Sequence, residues 1–252
     1  MNPTDSHAMT PYGRALLAYL EGRTAAEVVI RRDDGVEGSL PVRHDFRSEA
    51  ELAPIEAAAL ERCRGHVLDV GAGSGLHSLI LPTRGLPVTA IDIAPEAVAV
   101  MARRGVRVAR HADVFAYRGG PFDTLLMLGH GIGIVGDLDG LGQFLVHARD
   151  LTRSGGQVLL DSLDVTRSRD PKNLAYHEAN RRAGRYVGEI RMQIEFAGLR
   201  GPFCGWLHVD PETLAAQAAR AGWTCELVLE HESGEYLARL GGSAAEISGS
   251  SR

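Results

Sequence analysis

The sequence predicts an α/β fold built on a doubly wound, mostly parallel sheet. Apolar runs with strand character alternate with helical segments between Glu49 and Asp161. A glycine-rich turn, Gly71–Gly75, links one of these runs to the helical segment that follows it. The composition agrees, because 44% hydrophobic and 23% charged residues are typical of a globular domain. Strands that alternate with helices at this spacing pair in parallel and cross over with a right hand.

The segments of the predicted sheet follow one another in a regular order. A helix rich in Ala, Leu and Glu comes first, at Glu49–Arg62. Five apolar runs are predicted as strands: Val67–Val70, Val88–Ile93, Val106–His111, Thr124–Leu128 and Gly156–Asp161. Three segments with helical spacing alternate with them: Gly75–Leu81, Pro95–Arg104 and Leu138–Leu151. Pro95 stands at a first-turn position, where its missing N–H is tolerated.

Residues 1–48 precede this pattern and are predicted to form an N-terminal lid segment. Residues 1–11 are expected to be mobile. Tyr12–Glu21 has the apolar spacing of a short helix, and Ala25–Arg31 that of a strand. Asp33-Asp34-Gly35 is a turn signal after that strand.

Residues 164–209 interrupt the alternation of strands and helices. Asp164–Arg185 is polar and carries five arginines, so a loop with a short helix is expected there. Tyr186–Phe196 alternates apolar and polar residues, as a strand with one wet face does. We expect it to pair with Phe203–Val209 as an antiparallel hairpin inserted in the sheet fold.

The C-terminal segments complete a predicted domain over residues 49–240. Asp210-Pro211-Glu212 combines an N-cap, a first-turn proline and an acid, which predicts a helix at Pro211–Ala221. Trp223–Glu230 and Glu235–Leu240 are predicted as a closing hairpin that adds an antiparallel C-terminal strand to the sheet. Residues 241–252 are small and polar, and we expect a disordered tail.

The net charge, the cysteines and the length of the apolar runs argue against several classes of binding partner. The formal net charge is −5, whereas nucleic acids and anionic membranes normally require a basic surface. Cys63, Cys204 and Cys225 lie far apart without a CxxC pair, so neither a disulfide framework nor a metal site is predicted. No apolar run approaches the roughly 20 residues of a membrane span, and the N-terminus lacks a signal-peptide core. We expect a cytoplasmic protein that acts on a small molecule, and the oligomeric state stays open.

The residues around the glycine turn indicate what it holds. Glycines let the backbone approach a ligand closely, because they lack a Cβ. In dinucleotide-binding oxidoreductases the loop reads GxGxxG and a pyrophosphate lies on the following helix. Here the spacing is GxGxG, and Asp69, two residues ahead of the turn, would repel a pyrophosphate. A cationic ligand fits better, and an NAD(P)-type oxidoreductase is the alternative.

Four motifs and a Gly-Gly approach to the fifth strand carry a resemblance to a known family. In order, the segments are Val67–Gly75, Val88–Ile93, Ala112–Val114, Phe122–Met127 and Leu151–Leu160. With them the chain resembles the class I S-adenosylmethionine-dependent methyltransferases over residues 50–161. The resemblance implies a Rossmann-like fold, S-adenosyl-L-methionine as cofactor and S-adenosyl-L-homocysteine as product. It also implies in-line methyl transfer to a small-molecule acceptor, with a non-catalytic adenosylmethionine-binding module as a further alternative.

The resemblance also implies a set of cofactor-binding residues. The set comprises Tyr12, Arg47, Asp69, Gly71, Ala72, Gly73, Asp92, Ile93, Asp113, Val114, Leu128 and Gly129. Asp92 would accept from the ribose hydroxyls, Asp113 would meet the adenine amino group, and the turn would carry the methionine tail. Tyr12 and Arg47 would close over the cofactor.

Several of these residues have structural alternatives. A strand-ending Asp also serves as a helix N-cap, and Arg47 can form a surface ion pair with Glu49 or Glu51. Gly75 is expected to serve helix–strand packing rather than ligand contact.

The acceptor is expected beyond the C-terminal ends of the strands. The predicted acceptor-side residues are His130, Asp161, Tyr176, Trp206 and His208. Leu-Gly-His-Gly stands where enzymes that methylate nucleobase or glutamine nitrogen carry Asn/Asp-Pro-Pro-aromatic, so that class is disfavoured. His130 is predicted as a base or an orienting group, and Asp161 as a lining or capping residue. The aromatic residues could equally pack the hairpin, and His208 could pair with Asp210.

Overall fold

The computed structural model describes residues 6–242. Residues 1–5 and 243–252 lie outside that range, and most of the predicted C-terminal tail lies with them. Gly241 and Gly242 belong to the last strand rather than to a tail. The expectation that residues 1–11 are mobile is wrong from Ser6 onward, because a helix begins there.

Seven α-helices lie in the described range. They are α1 (Ser6–Leu20), α2 (Pro54–Arg62), α3 (Leu76–Ile80), α4 (Pro95–Arg104), α5 (Leu138–Leu151), α6 (Pro171–Arg182) and α7 (Pro211–Arg220). Within residues 6–242, no helix is both long enough and apolar enough to cross a membrane.

Twelve β-strands lie in the same range. They are β1 (Glu27–Arg32), β2 (Glu37–Pro41), β3 (Val67–Val70), β4 (Val88–Asp92), β5 (Ala109–His111), β6 (Phe122–Met127), β7 (Thr152–Leu163), β8 (Glu189–Phe196), β9 (Leu199–Arg200), β10 (Cys204–Leu207), β11 (Trp223–Glu230) and β12 (Glu235–Gly242). They form two separate sheets.

The main sheet has the order β11-β12-β7-β6-β3-β4-β5. Neighbours from β7 to β5 pair in parallel, whereas β12 pairs antiparallel with both β7 and β11. Every residue of β3 and β4 is buried, because helices cover both faces of the sheet. The predicted doubly wound sheet with an antiparallel C-terminal strand is confirmed.

The second sheet joins the predicted lid to the predicted inserted hairpin. Its order is β10-β8-β1-β2, all antiparallel, and the short β9 pairs with β8. The predicted antiparallel hairpin is confirmed in the pairing of β8 with β10, and β8 also pairs with the N-terminal strand β1. Met192 and Ile194 on its inner face share one apolar cluster with Ala15 and Leu16 of α1.

Two helices differ from the prediction, α2 in its start and α6 in its length. The predicted helix at Glu49–Arg62 begins only at Pro54, because Leu52 and Ala53 are extended, as residues before a proline tend to be. The polar segment after β7 contains a full helix, α6, where only a short one was expected. Its N-cap Asp170 accepts from the N–H groups of Lys172 and Asn173.

The glycine turn between β3 and α3 has three residues in the left-handed region. Gly71, Gly73 and Gly75 have φ angles of 66°, 54° and 80°. A Cβ on Gly71 would meet nothing within 4 Å, whereas one on Gly75 would lie 2.7 Å from Val106 Cγ2. Gly71 therefore faces open space, and Gly75 permits close packing of the turn on the loop after α4.

Substitution of Gly75 by alanine tests this packing role, with Gly105→Ala as the matched control. Both glycines have left-handed φ angles, but a Cβ on Gly105 would meet nothing within 4 Å. We expect Gly105→Ala to cost about 1 kcal/mol of unfolding free energy from backbone strain alone. Gly75→Ala should cost about 1–3 kcal/mol more from overpacking. Urea denaturation measures both values, and equal losses would contradict the packing role.

Candidate active site

A cleft opens at the C-terminal edge of β3, β4 and β6, with about 680 Å³ of empty space. We call it the strand-edge cleft. Its lining comprises Met9, Val70, Gly71, Ile91, Asp92, Ile93, Ala112, Asp113, Val114, Phe115, Leu128, Gly129, Gly131, Ile134 and Trp206. Seven of these were predicted as cofactor-binding residues, namely Gly71, Asp92, Ile93, Asp113, Val114, Leu128 and Gly129. The cleft thus gathers the ends of three parallel strands around one space.

Asp92 ties the glycine turn to the neighbouring strand. Its Oδ2 accepts from the Gly73 N–H at 2.9 Å and its Oδ1 from the Ala94 N–H at 2.8 Å. Burial raises the pKa of Asp92 to about 6, although the two N–H bonds act in the opposite direction. Asp92 therefore bonds to the residue that precedes α4, rather than capping the helix, and also lines the cleft.

Asp69 lies beneath the turn rather than in the lining of the cleft. It is buried, and its Oδ2 accepts from the Ser78 hydroxyl at 2.6 Å. Burial raises its pKa. Asp113, by contrast, is exposed and lines the cleft, while its Oδ1 accepts from the Phe115 N–H at 2.9 Å. Its predicted contact with adenine is compatible with this turn geometry.

The two predicted lid residues take different positions. The Tyr12 hydroxyl donates to Asp45 Oδ1 at 2.6 Å and lies 3.8 Å from where a Cβ on Gly73 would stand. Arg47 donates to Glu56 Oε1 at 2.9 Å. It therefore forms an ion pair, as the structural alternative predicted, but with Glu56 rather than with Glu49 or Glu51. Neither Tyr12, Arg47, Ala72 nor Gly73 belongs to the lining of the strand-edge cleft.

His77 lies near the turn and was not among the residues predicted from the sequence. Its Nε2 lies 3.0 Å from Glu56 Oε1. Burial opposes its charged form, but the bond to Glu56 and the charges of Asp69 and Asp161 outweigh burial and raise the pKa of His77. A half-buried imidazole therefore lies among carboxylates behind the turn, and they favour its protonated form.

A larger apolar cavity adjoins the strand-edge cleft. It encloses about 1260 Å³ between the inner face of the second sheet, α1 and the loop after β6. Its lining comprises Met9, Tyr12, Ile30, Arg32, Val36, Glu37, Gly38, Ser39, Leu40, Gly129, His130, Ile190, Met192, Ile194, Trp206 and His208. Met9, Gly129 and Trp206 line both spaces, so the two join there.

Asp161 fixes the loop that separates the two spaces. Its carboxylate accepts from the N–H groups of Gly129, at 3.2 Å, and of His130, at 2.8 Å. His130 has a φ of 58°, which is uncommon for a residue other than glycine. Burial raises the pKa of Asp161 to about 6, against the opposing effect of the nearby His130. Asp161 lies outside both linings and acts on the loop that carries His130.

Two histidines meet at the end of the apolar cavity nearest this loop. The rings of His130 and His208 are perpendicular, with centroids 5.4 Å apart. His130 Nε2 lies 3.4 Å from Glu235 Oε1. Within residues 6–242, the Nδ1 atoms of both rings are buried and have no hydrogen-bond partner. Burial, with a smaller effect of His130, lowers the pKa of His208 to about 3, so its ring is neutral near pH 7.

The remaining predicted acceptor-side residues separate in the structure. Trp206 lies where the two spaces join and packs on Gly133, where a Cβ would overlap its indole ring. Tyr176 lines neither space; its hydroxyl donates to Asp33 and accepts from the Arg191 N–H. Asp210 does not pair with His208 but caps α7 and accepts from the Tyr186 hydroxyl.

Comparison with known proteins identifies the family. Residues 68–160 match the methyltransferase domain family. An S-adenosylmethionine-dependent methyltransferase from Bacteroides fragilis, solved in complex with S-adenosyl-L-homocysteine, superposes with a TM-score of 0.82. It is 34% identical, and the match covers 95% of this chain and 97% of that chain.

Two curated relatives match over a shorter length. A ubiquinone biosynthesis O-methyltransferase of Xylella fastidiosa (strain 9a5c) is 37% identical over 93 residues, which is 34% of each chain. One of Xanthomonas oryzae pv. oryzae (strain PXO99A) is 34% identical over 144 residues, which is 50% of this chain and 51% of the relative. This chain thus spans about a third to a half of the curated relatives it matches.

The chain belongs to the S-adenosylmethionine-dependent methyltransferase family and has its Rossmann-like class I fold. Its cofactor is S-adenosyl-L-methionine, with S-adenosyl-L-homocysteine as the product form. The family resemblance that the sequence motifs predicted is confirmed, and the dinucleotide alternative falls away.

Proton release on cofactor binding tests the electrostatics of the site. Asp92 and Asp161 have pKa values raised to about 6, so both are partly protonated at pH 6. Asp92 lines the strand-edge cleft, so a cationic ligand bound there lowers its pKa, and binding should release protons at pH 6 and tighten as the pH rises through 6. Calorimetric titration with S-adenosylmethionine in buffers of different ionisation enthalpy measures the release.

The release should be smaller at pH 8, where both carboxylates are already ionised, and smaller with S-adenosyl-L-homocysteine, which lacks the sulfonium charge. An observed enthalpy at pH 6 that is independent of the buffer would contradict the assignment.

Proposed function

We propose that the protein transfers the methyl group of S-adenosylmethionine to a hydroxyl of an uncharged, largely apolar small molecule bound in the apolar cavity. One observation carries the proposal: the apolar cavity joins the strand-edge cleft at Met9, Gly129 and Trp206. A molecule in the cavity can therefore face a cofactor in the cleft. Methyl transfer needs in-line placement of the two reactants and the exclusion of water more than it needs any covalent help.

The charges of the cavity favour an uncharged acceptor. Arg32 donates twice to Asp34, at 2.8 Å to each oxygen, and once to Asn173. Glu37 accepts from Arg31 at 2.6 Å. Since these charged side chains already have partners, a charged acceptor would lose its hydration without gaining a new ion pair.

The aliphatic lining favours an acceptor with an apolar body. Ile30 and Leu40 from the N-terminal hairpin face Ile190, Met192 and Ile194 from β8 in one lining. Apolar surface removed from water contributes about 25 cal/mol per Å². A polyol or a nucleotide would leave most of its polar groups unpaired against this surface.

His130 is the base that we propose for the transfer. Glu235 faces its Nε2 and favours the tautomer that keeps a proton there, so Nδ1 carries the free lone pair. As the acceptor oxygen forms its bond to the methyl carbon, the sulfur–methyl bond breaks and the sulfonium becomes a neutral thioether. The hydroxyl proton passes to His130 Nδ1, and Glu235 stabilises the resulting imidazolium. Asp161 holds the loop in place for this step through its two backbone hydrogen bonds.

The relatives support oxygen as the attacking atom, because the curated matches are named O-methyltransferases. The net charge of −5 supports a small molecule over a nucleic acid. We keep a non-catalytic adenosylmethionine-binding module as the second candidate, because cofactor binding does not by itself demonstrate transfer.

Release of S-adenosyl-L-homocysteine tests the function across a panel of uncharged alkyl-substituted phenols and alicyclic alcohols. We expect turnover with members of this panel and none with nucleotides or charged amino sugars. Tight binding of S-adenosylmethionine without turnover on any member would favour the non-catalytic module.

Replacement of His130 tests the base. We expect His130→Ala to lower kcat by about 10²–10⁴-fold, because proton removal is lost, while the affinity for S-adenosylmethionine stays unchanged. His147→Ala is the matched control, since that imidazole lies on α5 and bonds to the Tyr117 carbonyl. A full rate in His130→Ala would remove the residue as base.

A further inference from the structure

Strand β2 is the last strand at one edge of the second sheet. It pairs with β1 on one side, and within residues 6–242 no strand pairs with its other side. Residues 37–39 are exposed. The opposite edge of the sheet is covered, because a Cβ on Gly205 in β10 would lie 3.1 Å from the Gly136 carbonyl oxygen of the loop before α5. An exposed strand edge offers its backbone donors and acceptors to another strand.

The hydrogen-bond pattern shows which backbone groups of β2 point outward. Directly after the strand, the Val42 N–H donates to the Ala26 carbonyl at 3.0 Å. In an antiparallel pair, alternate residues exchange bonds with the partner strand. Leu40 and Gly38 therefore also bond to β1. Ser39 lies between them, so its N–H and its carbonyl point to the free edge.

The outward groups complement one another when two copies of β2 run antiparallel about Ser39. Each Ser39 N–H then meets the Ser39 carbonyl of the other copy, and each Glu37 N–H meets the Pro41 carbonyl. Pro41 has no N–H, but as an acceptor it needs only its carbonyl. Glu37, the charged residue of β2, already bonds to Arg31 at 2.6 Å and would stand opposite Pro41, so no like charges face each other.

The apolar cavity reaches the same strand edge. Five consecutive residues, Val36–Leu40, line it, although successive residues of a strand point to opposite faces. The lining thus includes residues of both faces, as expected where a space passes around the edge of a strand. Val36 and Leu40 are half-buried at this place. The cavity is therefore open along β2, and its apolar wall ends there in contact with water.

Gly38 leaves room for a second copy at this opening. Its φ is not in the left-handed region, and a Cβ there would meet nothing within 4 Å. Neither its backbone nor its neighbours in one chain therefore require glycine. A glycine inside a strand often marks the close approach of another backbone. In the antiparallel arrangement, Leu40 of the second copy stands opposite Gly38 on the same face of the joined sheets, where it covers the open side of the cavity.

We propose that two copies of this chain pair through β2, so that their second sheets form one continuous antiparallel sheet and each copy closes the apolar cavity of the other. The partner is a second copy because the strand edge is complementary to itself in its backbone groups, its charge and its shape. The pairing does not depend on the reaction, whereas the role of the closed cavity in acceptor binding rests on the proposed function.

Sedimentation velocity of the full chain over a range of concentrations tests the pairing. We expect the wild-type protein to sediment with twice the mass of one chain. Ser39→Pro removes the central donor from each copy and places a ring at the strand edge, so the dimer dissociation constant should rise about 10- to 100-fold. Ser39→Ala is the matched control, because it loses the same hydroxyl bond to Glu27 but keeps the backbone N–H. It should remain dimeric.

Disulfide cross-linking tests the register of the two strands. Ser39→Cys places two thiols opposite each other, at a hydrogen-bonded pair whose Cα atoms lie about 5.5 Å apart, within the range of a disulfide. Oxidation should give a covalent dimer. The control is Ser154→Cys, an exposed position at the start of β7, which should give no more covalent dimer than the wild-type protein.

Several outcomes would overturn the inference. They are a monomeric wild-type protein, a dimer that Ser39→Pro leaves equally tight, and cross-linking of Ser154→Cys as fast as that of Ser39→Cys. Should circular dichroism show that Ser39→Pro is unfolded, Ser39→Glu decides instead. It sets two carboxylates opposite each other, so the dimer should weaken about 5-fold, and less at high salt. An equally tight Ser39→Glu dimer would contradict the pairing.

The mass measurement also separates this inference from the proposed function. A wild-type dimer that methylates no member of the acceptor panel would contradict the proposed function and leave the pairing through β2 standing. A wild-type monomer that methylates the panel would do the reverse.

Discussion

A buried carboxylate that accepts two backbone N–H groups is the interaction on which this site depends. Asp92 holds the glycine turn against the start of α4 in this way, and Asp161 holds the loop after β6. Both lie at the C-terminal edge of the main sheet, where turning backbone would otherwise leave donors unpaired. Burial nevertheless keeps both pKa values raised. Asp92 also lines the strand-edge cleft, where its ionised form would favour a cationic ligand.

The two sheets line different parts of the candidate active site. The main sheet supplies the strand ends and the glycine turn of the strand-edge cleft, while the second sheet supplies most of the apolar cavity wall. Trp206 and Met9 line both spaces at the place where they join. Substitutions in Ile30, Leu40 or Ile190 can therefore reshape the cavity without disturbing the carboxylates that organise the cleft.

The sequence predicted the main sheet and much of the cleft lining, because both leave local signals. Strands β3 and β4 are short, mostly apolar segments, and Asp92 ends the second of them at the edge of the cleft. The second sheet leaves no such signal, since the pairing of β1 with β8 joins segments that are distant in sequence. Met9 was not predicted as a lining residue for the same reason. The bond between Arg47 and Glu56 was not predicted either, because the extended chain at Leu52 and Ala53 changes the direction from which α2 approaches Arg47. The start of α6 does leave a local signal, because Asp170 is an N-cap residue directly before a first-turn proline, Pro171.

The strands of the second sheet lie far apart in the sequence, and this separation has a consequence for folding during synthesis on the ribosome. Arg31 on β1 bonds to Gln193 on β8, 162 residues further along the chain. All the parallel strands of the main sheet emerge between these two partners, so the sheet that binds the cofactor can be assembled while β1 still has one unpaired edge. Long-range strand pairing forms slowly, and an exposed strand edge can pair with another chain meanwhile. The sheet that lines the apolar cavity is thus completed only after all the parallel strands of the main sheet have been synthesised.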